Sequence, residues 1–417
     1  MCPAAWDAAV ANWKNTDAGR LAFPASVSNF FNGPDSMQCE VAVSQNGCTS
    51  PSLCNNAPAG FLILNSMVAL NNIITNFYDS IVKSQAIVSD LITDLGKTFA
   101  PPSEPPIQAL KLLLDAIGLT FVITGAPIWN IALRNLKGLS AGNHGTSKDA
   151  VNGAVMGAFT YVKDKQVELK DKAENLRTTL ADIVQTFYEG MAHTRTVLFD
   201  GSESSIKILS TFFDDGQLLG NAYTQMDDLS IQKIIKKSLY ASLIPLTWKQ
   251  ATNFNVVVID ADSYCDEQYP LVPSQLSQEV TDATQVCVDN WLYYIVTTAG
   301  VPRLCTNEGG GRSDCENKSF GIPEGLSTLD GEGWGGLTKE DLVTGAVNSW
   351  MAAGKKNDPG SINKDVTIDT MNDITDLNVR APGIVNIPVC RFDEARYNWE
   401  QLKEHGKGGG TANWPCN

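Results

Sequence analysis

Between Phe61 and Phe99 the apolar residues recur every seven positions, in two interleaved series. Met67, Ile74, Ile81, Val88 and Leu95 form one; Asn71, Tyr78, Gln85, Ile92 and Phe99 form the other, with Asn71 and Gln85 as polar interruptions. This is the seam of one long helix that packs against a partner helix. APPSEPP at 100–106 ends it, because proline lacks a donor and restricts the residue before it. A matching pattern returns at 160–199. There Leu169, Ala173, Leu176, Leu180, Ile183 and Phe187 alternate in steps of four and three beneath a mixed-charge outer face. The two helices are expected to lie antiparallel, joined by what separates them.

What separates them is apolar. AIGLTFVITGAPIWNIAL, Ala116 to Leu133, holds 18 residues and no charge, and a glycine-rich apolar stretch, AVNGAVMGAFTYV, follows a short loop. Pro127, helped by Gly125, should kink the first stretch. Its length just reaches that of a marginal membrane span. Two expectations follow: a hairpin buried as central core, or one, centred on Phe121, Val122, Ile123, Pro127 and Trp129, that folds away and later enters a membrane. Two long helices flanking such a hairpin resemble the arrangement in helical pore-forming toxins, a likeness of topology without a motif.

After residue 200 the pattern shortens. SIQKIIKKSLYASLIPLTW is an amphipathic helix with Lys233, Lys236 and Lys237 on one side. NVVVID at 255–260 is the strongest strand signal, and GIVNIPVCR suggests a second, short strand. SQLSQEVTDATQVCVDNWLYYIVTTAG reads as a helix. GLTKEDLVTGAVNSWMAAG reads as another, with Thr338 as N-cap and Asp341 at the third helical position in a capping-box arrangement. The expected fold is mainly α, with a long antiparallel helix pair, an apolar helical hairpin, a minor β element and disulfide-stapled termini. Three regions are expected: a Cys-rich cap at 1–60, a helical bundle at 61–250 and a mixed, disulfide-rich region at 251–417.

Cysteine content adds a compartment. The chain of 417 residues has ten cysteines and no CxxC pair, and its three histidines form no zinc pattern. Disulfides in an oxidising compartment follow. Cys305–Cys315 closes a short Gly-rich loop; Cys265–Cys287 and Cys390–Cys416 are the next pairs; the four N-terminal cysteines stay unassigned. The opening MCPAAWDAAV has neither a basic nor an apolar leader segment, so a secretory signal peptide would lie outside this sequence. Net charge of −15 argues against nucleic acid and against attraction to anionic lipid.

Candidate chemistry is sparse. Asp260 and Asp262 stand at the end of the clearest strand, where alternation would aim both carboxylates to one side as paired acids for glycan hydrolysis. The bland alternative is a solvated strand end. Asp214 and Asp215, and likewise Asp227 and Asp228, could hold Ca²⁺ but more commonly cap helices. LDGEGWGGLTKEDL resembles a calcium loop only in part: Trp334 stands where an oxygen ligand is wanted, and Asp341 replaces the final Glu. A tight turn entering a capped helix explains it better. His193, near Arg195, reads as a helix-terminal histidine. The EGGGR stretch from Glu308 to Arg312 lacks the setting of a phosphate loop and reads as a linker. No GxSxG and no cofactor motif occurs.

NFFNGPDSMQC with the cysteines after it, PAGFLILNSMVALNNIITNFY, SLIPLTW, CVDNWLYYIV, the Cys305–Cys315 loop and LSTLDGEGWGGLTKEDL resemble an uncharacterised family of secreted, disulfide-containing proteins of filamentous fungi. The resemblance covers most of the chain. It implies extracellular localisation and supplies no catalytic residues. Three functions remain open: a membrane-interacting or toxin- or effector-like helical protein; a secreted hydrolase acting on glycans through paired carboxylates; and a non-catalytic binding or structural protein. The expected partner is a membrane or a cell-surface glycan. Oligomeric state is left open.

Overall fold

The computed structural model describes residues 3–35, 37–39, 58–99, 185, 189, 192–213, 228–250, 255–267, 276–298, 305–308, 312–315, 320–357, 378–404 and 413–416. These fall into two compact units. One draws on Met1–Ala86 and Thr124–Gln232, the other on Ile87–Ile123 and Lys233–Asn417. Residues 107–160, including Phe121, Val122, Ile123, Pro127 and Trp129, lie outside the described residues, as does most of the expected second long helix. Among the described residues no helix is long and apolar enough to cross a membrane.

The first unit contains helix α1 (Pro3–Asn12), helix α2 (Phe23–Phe30), most of helix α3 (Pro58–Phe99) and helix α4 (Glu203–Phe213). Residues 192–199 are also helical. Helix α3 runs 42 residues, as the seven-residue repeat requires, and Met67 and Ile74 of its seam are fully buried. Beside them Arg195 is buried and donates from Nη2 to Thr75 Oγ1 at 2.6 Å, while the Asn71 side-chain oxygen is enclosed without a donor. N-terminal packing is aromatic. Phe23 meets Trp6 and Trp13 edge-on at 6.0 and 5.5 Å, the favoured geometry for ring quadrupoles. Both indole N–H groups are satisfied, Trp6 by Ser210 Oγ at 2.8 Å and Trp13 by the Gly201 carbonyl at 3.1 Å.

The second unit is built on a four-stranded sheet of order β2-β3-β1-β6. Strand β1 (Val256–Tyr264) lies antiparallel to β3 (Trp291–Thr297) and parallel to β6 (Val389–Arg391); β2 (Gln285–Val288) pairs antiparallel with β3. One face, with Val257, Ile259, Leu292, Tyr294 and Val296, packs on helix α6 (Gln278–Thr284) and helix α8 (Phe392–Glu404) through Val280, Ala395 and Trp399. By alternation the other face carries Val258, Ile295 and Val389, and helix α7 (Lys339–Ala352) lies over it. The outer edge of β6 is closed by a side chain: Asn357 donates to the Val389 carbonyl at 3.0 Å and accepts from its N–H at 2.8 Å. Helix α5 (Asp228–Gln250) brings in Tyr240 and Trp248. Phe99 meets Trp248 at 5.7 Å and Trp334 at 4.9 Å, and Tyr240 meets Trp334 at 5.3 Å.

The described residues are mainly helical with a small mixed sheet, as expected. The helix expected over SQLSQEVTDATQVCVDNWLYYIVTTAG is overturned: only Gln278–Thr284 is helical, and a β2–β3 hairpin follows. The reason is local. Asp289 and Asn290 both have positive φ, 49° and 71°, the two-residue turn whose twist matches paired strands. The expected linker at 308–312 is flanked by a second hairpin, β4 (Cys305–Glu308) with β5 (Arg312–Cys315), whose register sets Cys305 opposite Cys315. Cys265 is joined to Cys287 and Cys390 to Cys416.

Candidate functional site

Strand β1 is apolar from Val256 to Ile259 and then turns polar. The register places Asp260 opposite Tyr293 on β3 and opposite Arg391 on β6, so these three share the α7 face of the sheet. Pairing with β3 is interrupted between Asp260 and Tyr264, where Asp262 takes the left-handed backbone at φ 53°. The simple alternation expected for Asp260 and Asp262 therefore stops at Asp260. The bulge makes a small loop in which the Asp262 N–H donates to Asp260 Oδ1 at 2.9 Å. Both carboxylates nevertheless gather at Arg391: the guanidinium pairs with Asp262 and also acts on Asp260.

Asp260 is the unusual group. It is half-buried, and burial pushes its carboxyl above the ordinary carboxylate range, against the opposing pull of Lys355 and Arg391. Tyr293 is raised to about 12, first by burial and then by Asp260 and Asp289. Its phenol stays protonated in any ordinary medium. The site thus holds one carboxyl that resists ionising beside a second that is exposed and ion-paired.

Just past the bulge, Tyr264 stands opposite Trp291. Their rings stack with centroids 4.7 Å apart at 31°, yet they stay 47% and 39% exposed. At the other end of β1, Asn255, Val256, Trp248, Lys249, Pro388 and Trp414 line a hollow of about 30 Å³, room for about one water molecule.

Other candidates separate plainly. Asp214 and Asp215 lie outside the described residues, as do Asp227, His144 and His405. His193 is exposed. The calcium-like stretch is a turn and a cap. Asp330 Oδ1 accepts from the Glu332 and Gly333 N–H groups at 2.9 and 3.4 Å, and Trp334 is packed among aromatic rings. Asp341 is buried in the capping box with Thr338 and ion-paired to Lys237 at 2.7 Å and Arg380 at 2.8 Å. Gly335, at φ 70°, sits so close to helix α5 that a Cβ there would lie 2.5 Å from the Lys237 amide nitrogen. Among the described residues no group of three or more acidic, Cys or His side chains could hold a metal.

Sequence reading missed Tyr293, Arg391, Lys355, Tyr264 and Trp291. The usable signal was Asp289-Asn290 between QVCV and WLYYIV, a turn dipeptide between alternating runs.

Among known proteins the chain is similar to a probable chitinase of Penicillium expansum, LysM18, at 25% identity over 99% of this chain and 31% of that protein. It is also similar to a secreted chitinase of the same fungus, LysM12, at 23% identity over 99% of this chain and 30% of that protein. The chain spans about a third of the length of these curated relatives. No protein-family model and no solved structure matches it. Disulfides in the structure and a secreted relative agree: the protein is extracellular.

Proposed function

We propose that this protein is a secreted fungal hydrolase acting on a chitin-type glycan, with Asp260 as the general acid and Asp262 as its partner carboxylate. The observation that carries the reading is Asp260 itself. A half-buried carboxyl held above its ordinary range, at a strand end beside an ion-paired carboxylate, is the environment split that assigns acid and partner in glycoside hydrolysis. In this role Asp260 donates its proton to the glycosidic oxygen as the bond to the sugar carbon breaks, a water oxygen bonds to that carbon, and Asp262 takes up the proton the water releases. Arg391 positions Asp262 and limits the repulsion between the two acids. The names of the two relatives, a probable chitinase and a secreted chitinase, support the choice of glycan.

The test is product release from soluble N-acetylglucosamine oligomers. The wild-type chain is expected to cleave them, with activity falling as pH rises through the raised pKa of Asp260. Asp260→Asn is expected to lower the rate about 100-fold or more, the usual contribution of a general acid. Its melting temperature should be unchanged or higher, since burying the charged form costs stability. No cleavage by the wild type, or full activity in the variant, overturns the reading.

A further inference from the structure

We infer that Tyr264 and Trp291 form a stacking subsite for an uncharged pyranose sugar, most simply an N-acetylhexosamine unit of an extended glycan. The inference rests on the glycan reading above and deepens it, but it concerns a different set of side chains.

The pair is exposed against its sequence neighbours. Tyr293 and Tyr294, two and three residues along β3 from Trp291, are buried, whereas Tyr264 and Trp291 keep nearly half of their surface in solvent. Large apolar side chains left out together on a sheet margin mark binding sites more than they mark core. The two rings are also unusually well held. Their strands pair directly at this position. The next residue along, Cys265, is joined to Cys287 on β2, and its N–H donates to the Asn290 carbonyl at 3.1 Å, immediately before Trp291. Ordering of both rings is therefore completed on folding, and a ligand need not supply it.

Charge selects the ligand. Asp262, Asp266, Glu267 and Asp289 hold exposed positions within three residues of one ring or the other along the chain, and Arg391 is already paired to Asp262. The chain as a whole carries −15. Phosphates, uronic acids, nucleic acid and anionic lipid are repelled. A neutral pyranose fits: its axial C–H groups form a flat apolar face that lies on an aromatic ring, while its hydroxyl and amide N–H groups donate to these carboxylates. Asp260 and Asp262 follow along the same strand, so a sugar bound here would lead its neighbour toward the acids.

The test measures binding of N-acetylglucosamine oligomers by calorimetry, with a uronic acid oligomer as the charged control. Trp291→Ala and Tyr264→Ala are each expected to weaken binding about tenfold or more, about 1.4 kcal/mol. Trp291→Tyr, which keeps a ring, should restore most of it. The uronic acid oligomer should not bind. If Trp291→Ala melts earlier yet binds unchanged, the rings are only a cross-strand clamp and the inference fails; it also fails if the wild type does not bind the neutral oligomer. Cleavage lost in Asp260→Asn with binding intact in Trp291→Ala would sink the subsite alone. Binding lost in Trp291→Ala without any cleavage by the wild type would sink the hydrolase reading alone.

Discussion

At the scale of single residues, two aspartates show how environment assigns opposite roles to one side chain. Burial works against the charge of both. At Asp260 it prevails, because Lys355 and Arg391 act only as nearby charges. At Asp341 burial is outweighed by hydrogen bonds from Lys237 and then Arg380, and the carboxyl lies below its ordinary range. Asp341 is therefore a structural group. Its folded-state pKa is below the unfolded one, so its contribution is complete above about pH 4. That contribution is lost as pH falls through the folded-state value. Asp341→Asn, which keeps an acceptor for the Thr338 N–H but removes the charge, is expected to lower stability by roughly 2–3 kcal/mol, because Lys237 and the partly exposed Arg380 lose their ionic partner. Urea unfolding from pH 7 to pH 3 checks this: the variant's stability should fall less steeply on the acid side than the wild type's.

At the scale of elements, the β2–β3 hairpin decides the candidate site, because it supplies Tyr293 opposite Asp260 and Trp291 opposite Tyr264. A helix over the same residues would have placed these side chains elsewhere. The turn is its weak point, with two non-glycine residues in the left-handed region. Asn290→Val should cost about 1–2 kcal/mol, since a β-branched residue resists that backbone. Asn290→Gly should leave stability unchanged or slightly raised. Thermal melts of the two variants would separate this turn from a helical alternative, which would order them the opposite way. Helix α7 was legible for the same kind of local reason: Thr338 and Asp341 satisfy each other's backbone groups as their spacing requires.

At the scale of the whole molecule, the strand bearing both acids is fixed by covalent and edge contacts. Cys265–Cys287 spans 22 residues and ties the bulged end of β1 to β2. Replacing both cysteines by serine is expected to cost about 3 kcal/mol by loop closure. It should also weaken oligosaccharide binding, because the two aromatic rings would no longer be held in advance. Denaturant midpoints and calorimetry on the same sample read both effects. A loss of stability with binding untouched would assign the disulfide to folding alone.

Features of this protein with a local cause could be read from its sequence. The seven-residue repeat gave the 42-residue helix, the capping box gave α7, the run of β-branched residues gave β1, and cysteine content gave the compartment. Each is set by neighbours within a few turns of chain. Tertiary structure alone decided what stands beside Asp260. Arg391 lies 131 residues away and reaches it only through a parallel pairing, and a bulge re-aims Asp262 so that strand alternation no longer predicts its direction. Whether a carboxyl is hard to ionise depends on burial and on charges brought from distant segments, and no local pattern of residues records either.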